Sequence, residues 1–373
     1  MKKFILLFVI VLFIVCSADA KIRRVGFFGS PISGTDYSTF DAANTAAVSG
    51  DTILIFPSIN LNGNISKKLF IIGPGNWLDP NATPKGNANQ QAFGGIATIS
   101  NLTFDPGSNG SVLMGLNGGN VYVRDNNITI ARNAEIIIYV SYNVSSITNL
   151  QILQNYRVYV YQATAGISST NMNISNNLIT RFYAVSGSTY SGSVSNNVWS
   201  YDATQTTNNL NGGAFTFSGT FNIELGGGAF LLQNNIFLSY TNASAPSNFN
   251  YFTFSNGGNS IFNNNLALES STPINWGPGT GNVTTPIGNA ANIFSAFPLI
   301  GTVSADARYQ LKAGSPALTA GAGGTAIGMF TGTSPYKLST IPTIPSIYAL
   351  SSPQGNTPPG STLQINVSTK GNN

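Results

Sequence analysis

Histidine is absent from all 373 residues, and that single absence removes a large share of enzyme chemistry. Ser-His-Asp and Cys-His nucleophilic machinery, histidine-held zinc and haem, and every histidine general base are excluded. Cysteine occurs once, as Cys16, inside an apolar leader, so the rest of the chain has neither thiol nor disulfide. Charge is scarce as well, at 8% of residues, with 16 basic and 12 acidic side chains and a formal net charge of +4. That balance is too mild to imply a nucleic-acid partner. Eleven acids remain beyond residue 20, and no two are adjacent. A carboxylate pair spaced for glycoside hydrolysis would therefore arise only by coincidence, and no cluster of acids offers a calcium or other metal site. A phosphate-binding G-x-x-x-x-G-K-[ST] loop is missing too. The loose match Gly321-x-Gly323-x-x-Ala326 reads as a turn, so no cofactor is expected.

What is present begins with a leader. Lys2 and Lys3 precede the unbroken apolar run Phe4 to Val15, and Ala18-Asp19-Ala20 forms an A-x-A step, so residues 1–20 read as a secretory signal peptide cut before Lys21. About 12 apolar residues are short against the roughly 20 of a membrane span, and no transmembrane segment is expected. A lipid anchor on Cys16 is disfavoured by the bulky Val15 before it. The remaining chain has ample core material, since 42% of residues are hydrophobic and 11% aromatic. It is also very rich in Asn, with 46 copies, and in Gly, with 40.

The asparagines recur in register as an apolar residue, any residue, Asn-Asn, then an apolar residue. The copies are Ile174-Ser175-Asn176-Asn177-Leu178, Val194-Ser195-Asn196-Asn197-Val198, Leu232-Gln233-Asn234-Asn235-Ile236 and Phe262-Asn263-Asn264-Asn265-Leu266, with a slipped copy at Asp125-Asn126-Asn127-Ile128. Asn tolerates the left-handed turn between two strands, and its amide can bond an identical amide one coil away. Short β-branched or aromatic segments flank the turns, such as Thr52–Phe56, Ile136–Val140 and Val158–Tyr161. The expected fold is all-β: a right-handed single-stranded parallel β-helix with Asn-ladder turns. Phe40, Ala43 and Ala47 share a helical face, which predicts a short N-terminal capping helix. The expected organisation is signal peptide over 1–20, N-terminal strand and capping helix over 21–50, parallel β-helix over 51–335, and a Pro-rich linker with a tail strand over 336–373.

Two segments carry a resemblance. Tyr37 to Pro57, with its Gly50-Asp51-Thr52-Ile53 step, resembles the start of secreted right-handed β-helix proteins of the broad pectate-lyase-like superfamily. Asp306 to Leu318, followed by Gly321 to Gly328, is similar to the closing segment of such proteins. The resemblance implies the fold and export but is nearly silent on activity, because the same solenoid serves lyases, hydrolases, adhesins and binding proteins. The paired acids and His-containing motif of the polygalacturonase branch are missing. The surviving enzyme class is a polysaccharide lyase using Lys or Arg, with Lys67, Lys68, Lys85, Arg124, Arg132, Arg157 and Arg181 as its candidates.

With the apolar residue after each Asn pair taken as inward, positions two and four beyond the second Asn face outward. Trp199, Tyr201 and Phe237 then form an exterior aromatic column beside Arg181, Asp202 and Glu269, suited to stacking on sugar rings. The 38-residue step between Asn197 and Asn235 could supply a loop that covers the column. Trp77 is read as a loop anchor. The expectation is a secreted or cell-surface, monomeric, non-catalytic protein whose partner is a polysaccharide or cell-surface glycan. The alternatives are the lyase and a structural extracellular protein with no soluble ligand.

Overall fold

The computed structural model describes residues 20–372 apart from 27–28, 80, 82–85, 88–93, 163, 185–186, 201–208, 211–212, 215–221, 225–227, 239–252, 256–259, 270–275, 287–289, 297–302 and 352–364. Within them the chain is a parallel β-solenoid. From Thr52–Ile55 to Ile137–Val140 successive strands alternate between two long sheets, and every pairing within those sheets is parallel. Register aligns one apolar residue per coil. In the first sheet Ile53, Ile71, Leu113, Ile130, Ile152, Ile174, Val194, Leu232 and Phe262 stand in one column. Leu102, Val121, Ile138, Val160 and Phe182 do the same in the second sheet. Both columns point into a shared dry core. Aliphatic residues together with Phe40 and Phe104 fill its early part, and Phe182, Tyr190, Trp199, Phe230, Phe237 and Phe262 enter the later coils. A one-residue slip would turn a column outward, so this pattern specifies the register.

The corner between the two sheets is built by asparagine. Asn133, Asn155, Asn177, Asn197, Asn235, Asn265 and Asn282 form a continuous row of amide-to-amide hydrogen bonds of 3.0–3.2 Å. Asn177 shows the full bonding. Its Oδ1 accepts from both the backbone N–H and the Nδ2 of Asn155, and its Nδ2 donates to Ile152 O, Ser175 O and Asn197 Oδ1. The residue before each ladder Asn takes the left-handed conformation: Arg132, Gln154, Asn176, Asn196, Asn234 and Asn264 all have φ between 53° and 58°. The two asparagines of the motif thus divide the work, the first making the turn and the second satisfying buried backbone groups. Asn127 belongs elsewhere. It stands in a separate exposed row with Asn109, Asn149 and Asn171, so its place beside Asn177 in the repeat was a register error.

At the N-terminal end, helix α1 (Phe40–Ala46) starts at Thr39, whose hydroxyl accepts from Ala42 N–H. Phe40, Ala43 and Ala47 pack into the core, and Lys67 Nζ donates to the carbonyls of Asn44 and Ala47. Beside the helix lies the buried pair Arg23–Asp51, with Nε 2.8 Å from Oδ2. Burial alone would push the Asp51 carboxyl up. The amides of Lys21 and Val48 and the Arg23 guanidinium outweigh it and hold that carboxyl below the ordinary carboxylate value.

The last strand of either long sheet is Val283–Pro286. Beyond it, residues 290–296 and 303–341, in a stretch expected to belong to the β-helix up to 335, return along the outside of the solenoid. Gly328 N–H donates to Asn234 O, Asn176 Nδ2 to the carbonyls of Met329 and Thr331, and Gln154 Nε2 to those of Ser334 and Pro335. Arg132 Nη1 then reaches Ile341 O. The segment lies so close that a Cβ on Gly332, at φ 80°, would sit 2.9 Å from the Asn196 amide nitrogen. Asp306, wholly buried, staples it to the body. Its carboxyl accepts from Ser304, Asn87, Tyr336 and the Ser339 N–H, and Ser339 Oγ donates in turn to Trp77 O. The chain ends in an antiparallel pair, Ser346–Ser351 with Asn366–Lys370. No helix among the described residues is long and apolar enough to cross a membrane.

Two outcomes follow for stability. Asn177→Ala strands the Asn155 amides and the Ile152 carbonyl in a dry corner and should cost about 3 kcal/mol in chemical denaturation, whereas Asn127→Ala in the exposed row should cost under about 1 kcal/mol. The depressed Asp51 group contributes stability that is complete above the unfolded carboxylate value of about 3.9 and is lost as pH falls through its lower folded value. Thermal midpoints measured from about pH 5 down to about pH 2 should therefore fall, and Asp51→Asn should flatten that part of the profile.

Candidate functional site

Period-two alternation starts from the ladder asparagine, and this decides which aromatic residues reach the surface. The amide of Asn197 points inward, so Val198 points outward and Trp199 points inward again. Trp199 and Phe237 are both 0% exposed, stacked on each other inside the solenoid with centroids 5.5 Å apart. The expected exterior column is therefore corrected for these two residues. The apolar residue after each Asn pair is the outward one, and the alternation had been started one residue late. Tyr201 and Asp202 lie outside the described residues. Glu269 ends strand Leu266–Glu269, in register with Pro286.

The outward apolar residues are not free either. Ala134, Tyr156, Leu178, Val198, Ile236 and Leu266 make a second column, roofed by Ile293, Phe294, Tyr309, Ala317, Ile327, Met329 and Tyr336 of the returning segment. Trp77 packs edge-on against Tyr156, centroids 4.8 Å apart, at the margin of this cluster.

Arg181 does face outward, because Thr180 is an extra residue where strand Leu178–Ala184 pairs with Val158–Gln162: Val158 opposes Ile179 and Tyr159 opposes Arg181. It lands on a surface of tyrosines. On four consecutive coils of the second sheet, Tyr122, Tyr139, Tyr161 and Tyr183 occupy one register position and are all partly exposed. Tyr122 and Tyr139 stack at 4.7 Å and 15°, Tyr161 and Tyr183 at 5.3 Å and 23°, and Tyr139 meets Tyr161 edge-on at 5.4 Å. At strand spacing the column runs for roughly 14 Å. Tyr142, 38% exposed, leans on Tyr122, and Tyr159 flanks Tyr161.

Cations and amides border the column. The Arg181 guanidinium lies 5.3 Å from the Tyr159 ring centroid and 5.6 Å from that of Tyr183. Arg124, paired with Asp105 at 2.9 Å, lies over Tyr142 at 5.2 Å. Asn120, in the adjacent outward row, bonds Asn101. Burial pushes the Tyr122 and Tyr139 phenols up and raises Tyr159 to about 12. At neutral pH these groups are phenols that donate hydrogen bonds, not phenolates that abstract protons.

The other basic candidates hold structure. Lys67 binds the end of α1, Lys68 covers the Phe70 ring, Arg157 pairs with Glu135, and Arg132 is buried on Gln154 Oε1 and two carbonyls. Lys85 lies outside the described residues. No group of three or more His, Cys, Asp or Glu among the described residues is placed to hold a metal ion. The sequence matches no protein-family model and no curated protein.

The tyrosine column was missed because the outward face was counted from the Asn pairs alone. Its signal is nonetheless in the chain. Tyr139, Tyr161 and Tyr183 keep the 22-residue step that separates Asn133, Asn155 and Asn177. The two aromatic sets should respond oppositely to truncation. Trp199→Ala opens a cavity in the core and should cost about 3–5 kcal/mol in urea unfolding, while Tyr161→Ala should cost only about 1 kcal/mol and leave the circular dichroism spectrum unchanged.

Proposed function

We propose that this chain is a secreted, non-catalytic protein built as a right-handed β-helix of the pectate-lyase-like type, and that it binds an extended polysaccharide along its tyrosine column. The observation that carries this reading is Tyr122, Tyr139, Tyr161 and Tyr183 repeating outward on four adjoining coils. Because the rings stack on one another, they present a row of ring edges and neutral hydroxyls at strand spacing, which offers apolar contact together with hydrogen-bond donors and acceptors to successive sugars. Tyrosine also loses little conformational freedom on binding, because only two side-chain torsions have to be fixed. Arg181 brings a guanidinium to one end of the column, which favours an acidic glycan over a neutral one, while Arg124 at the other end is already paired with Asp105. Right-handed winding is the general preference for parallel crossovers. Helix α1 serves as the N-terminal cap in this reading, as solenoid ends require.

The test is native affinity electrophoresis through gels containing neutral and uronic-acid polysaccharides. The protein should be retarded in an acidic-glycan gel, Tyr139→Ala and Tyr161→Ala should run free, and Arg181→Gln should weaken retention several-fold. Unchanged mobility of the wild-type chain in every gel would overturn the glycan reading and favour a purely structural extracellular role. Formation of unsaturated, ultraviolet-absorbing sugar ends during incubation would instead establish a lyase.

A further inference from the structure

We propose that Asp51 is a built receptor for a new N-terminal ammonium, created when the chain is cut between Ala20 and Lys21. Two independent observations meet at this bond. The A-x-A step of the leader ends at Ala20, and the nitrogen of Lys21 is hydrogen-bonded to a buried carboxylate of the solenoid. The Lys21 nitrogen lies 2.8 Å from Asp51 Oδ1, and the Lys21 carbonyl accepts from Thr52 N–H at 2.8 Å. The next residue, Ile22, already pairs with Thr52 as the start of a parallel strand. Ala20 and Lys21 are themselves exposed, so a processing peptidase can reach the bond between them.

The carboxylate is arranged for a second cation. Asp51 is 0% exposed, and its Oδ2 takes both the Arg23 Nε at 2.8 Å and the Val48 N–H at 3.0 Å. Oδ1 accepts from the Lys21 nitrogen. Other groups facing this site are Tyr37, whose hydroxyl accepts from Arg23 Nη1 at 2.6 Å, and the Gly34 carbonyl. Hydrolysis adds water across the Ala20–Lys21 amide. The hydroxyl goes to the Ala20 carbonyl carbon, the nitrogen departs with Lys21 as an amine, and a proton from solvent makes it an ammonium. An N–H···O⁻ contact, already assisted by the charge of the carboxylate, then becomes an ion pair without moving the nitrogen, which adds the attraction between opposite charges in a buried site. Cutting would thereby lock the first strand onto the first coil. The Gly50-Asp51-Thr52 step acquires in this way a role in reading the processed end.

Three measurements test this. Secretion of the full precursor from a host with a signal peptidase should give an intact mass that begins at Lys21, and a product starting at any other residue would overturn the proposal. Next, chains beginning at Lys21, and chains with one additional Gly before it, are compared in the wild-type and Asp51→Asn backgrounds. The Lys21 start should melt on the order of 2–5 °C higher than the extended chain in the wild type, with no difference in Asp51→Asn. Equal midpoints in the wild type, or a difference that persists in Asp51→Asn, would overturn it. The third measurement needs no substitution. Near neutral pH, acylation of the α-amine should be roughly tenfold slower in the Lys21 start than in the extended chain, as one unit of upward pKa shift requires. Equal rates would overturn the proposal even if Asp51→Asn fails to fold.

Discussion

The buried asparagine row is the constraint from which the rest of this structure follows. A coil that turns sharply between two sheets brings backbone N–H and C=O groups into a dry corner, where an unpaired group costs free energy comparable to a lost hydrogen bond. Asparagine carries an acceptor and two donors on a side chain short enough to bond its own strand and both neighbouring coils, as Asn177 does. Because that side chain must point inward, the residues directly after it have their facing set by alternation. Val198 has to face out and Trp199 in, whatever their hydrophobicity.

An apolar outward column is the cost of this arrangement, and the returning segment removes it from water. Leu178, Val198, Ile236 and Leu266 are sealed under Ile327, Met329 and Tyr336. The left-handed residues beside the ladder, Gln154 and Asn176, supply side-chain donors that fasten the seal through its carbonyls. One feature of the repeat therefore does two jobs: the first position of the pair turns the chain and, at Arg132, Gln154 and Asn176, also binds the cover. That cover occupies the face next to the ladder, and the tyrosine column lies further along the same sheet, where Tyr122 through Tyr183 stay partly exposed.

Much of this could be read from the chain. The Asn-Asn motif at 177, 197, 235 and 265 marks true coil corners, and Phe40, Ala43 and Ala47 do share the buried face of a helix. Asn133 and Asn155 escaped notice because Arg132 and Gln154 stand where later coils have the first Asn, and both adopt the left-handed conformation all the same. A motif search keyed to a residue pair cannot find a corner that needs only its second member. The aromatic face was misassigned for a related reason: hydrophobicity does not distinguish a residue facing the core from one facing a cover, and both Val198 and Trp199 are buried.

The sequence by itself determined the class of architecture, since β-branched strands, Asn turns and a repeat of roughly 20 to 30 residues leave stacked parallel coils as the economical way to bury the apolar residues. It also determined the narrow chemistry, since a chain without histidine and with few acids has few groups that move protons at neutral pH. Tertiary structure alone decided which face is open. Exposure on a solenoid depends on where a distant segment of the same chain lies down, and the described residues of the returning segment are joined to the coils they cover by contacts that no local pattern records. It also decided that Arg181 meets Tyr159 and Tyr183, because one extra residue in a strand shifts the register by one and turns a side chain to the opposite face.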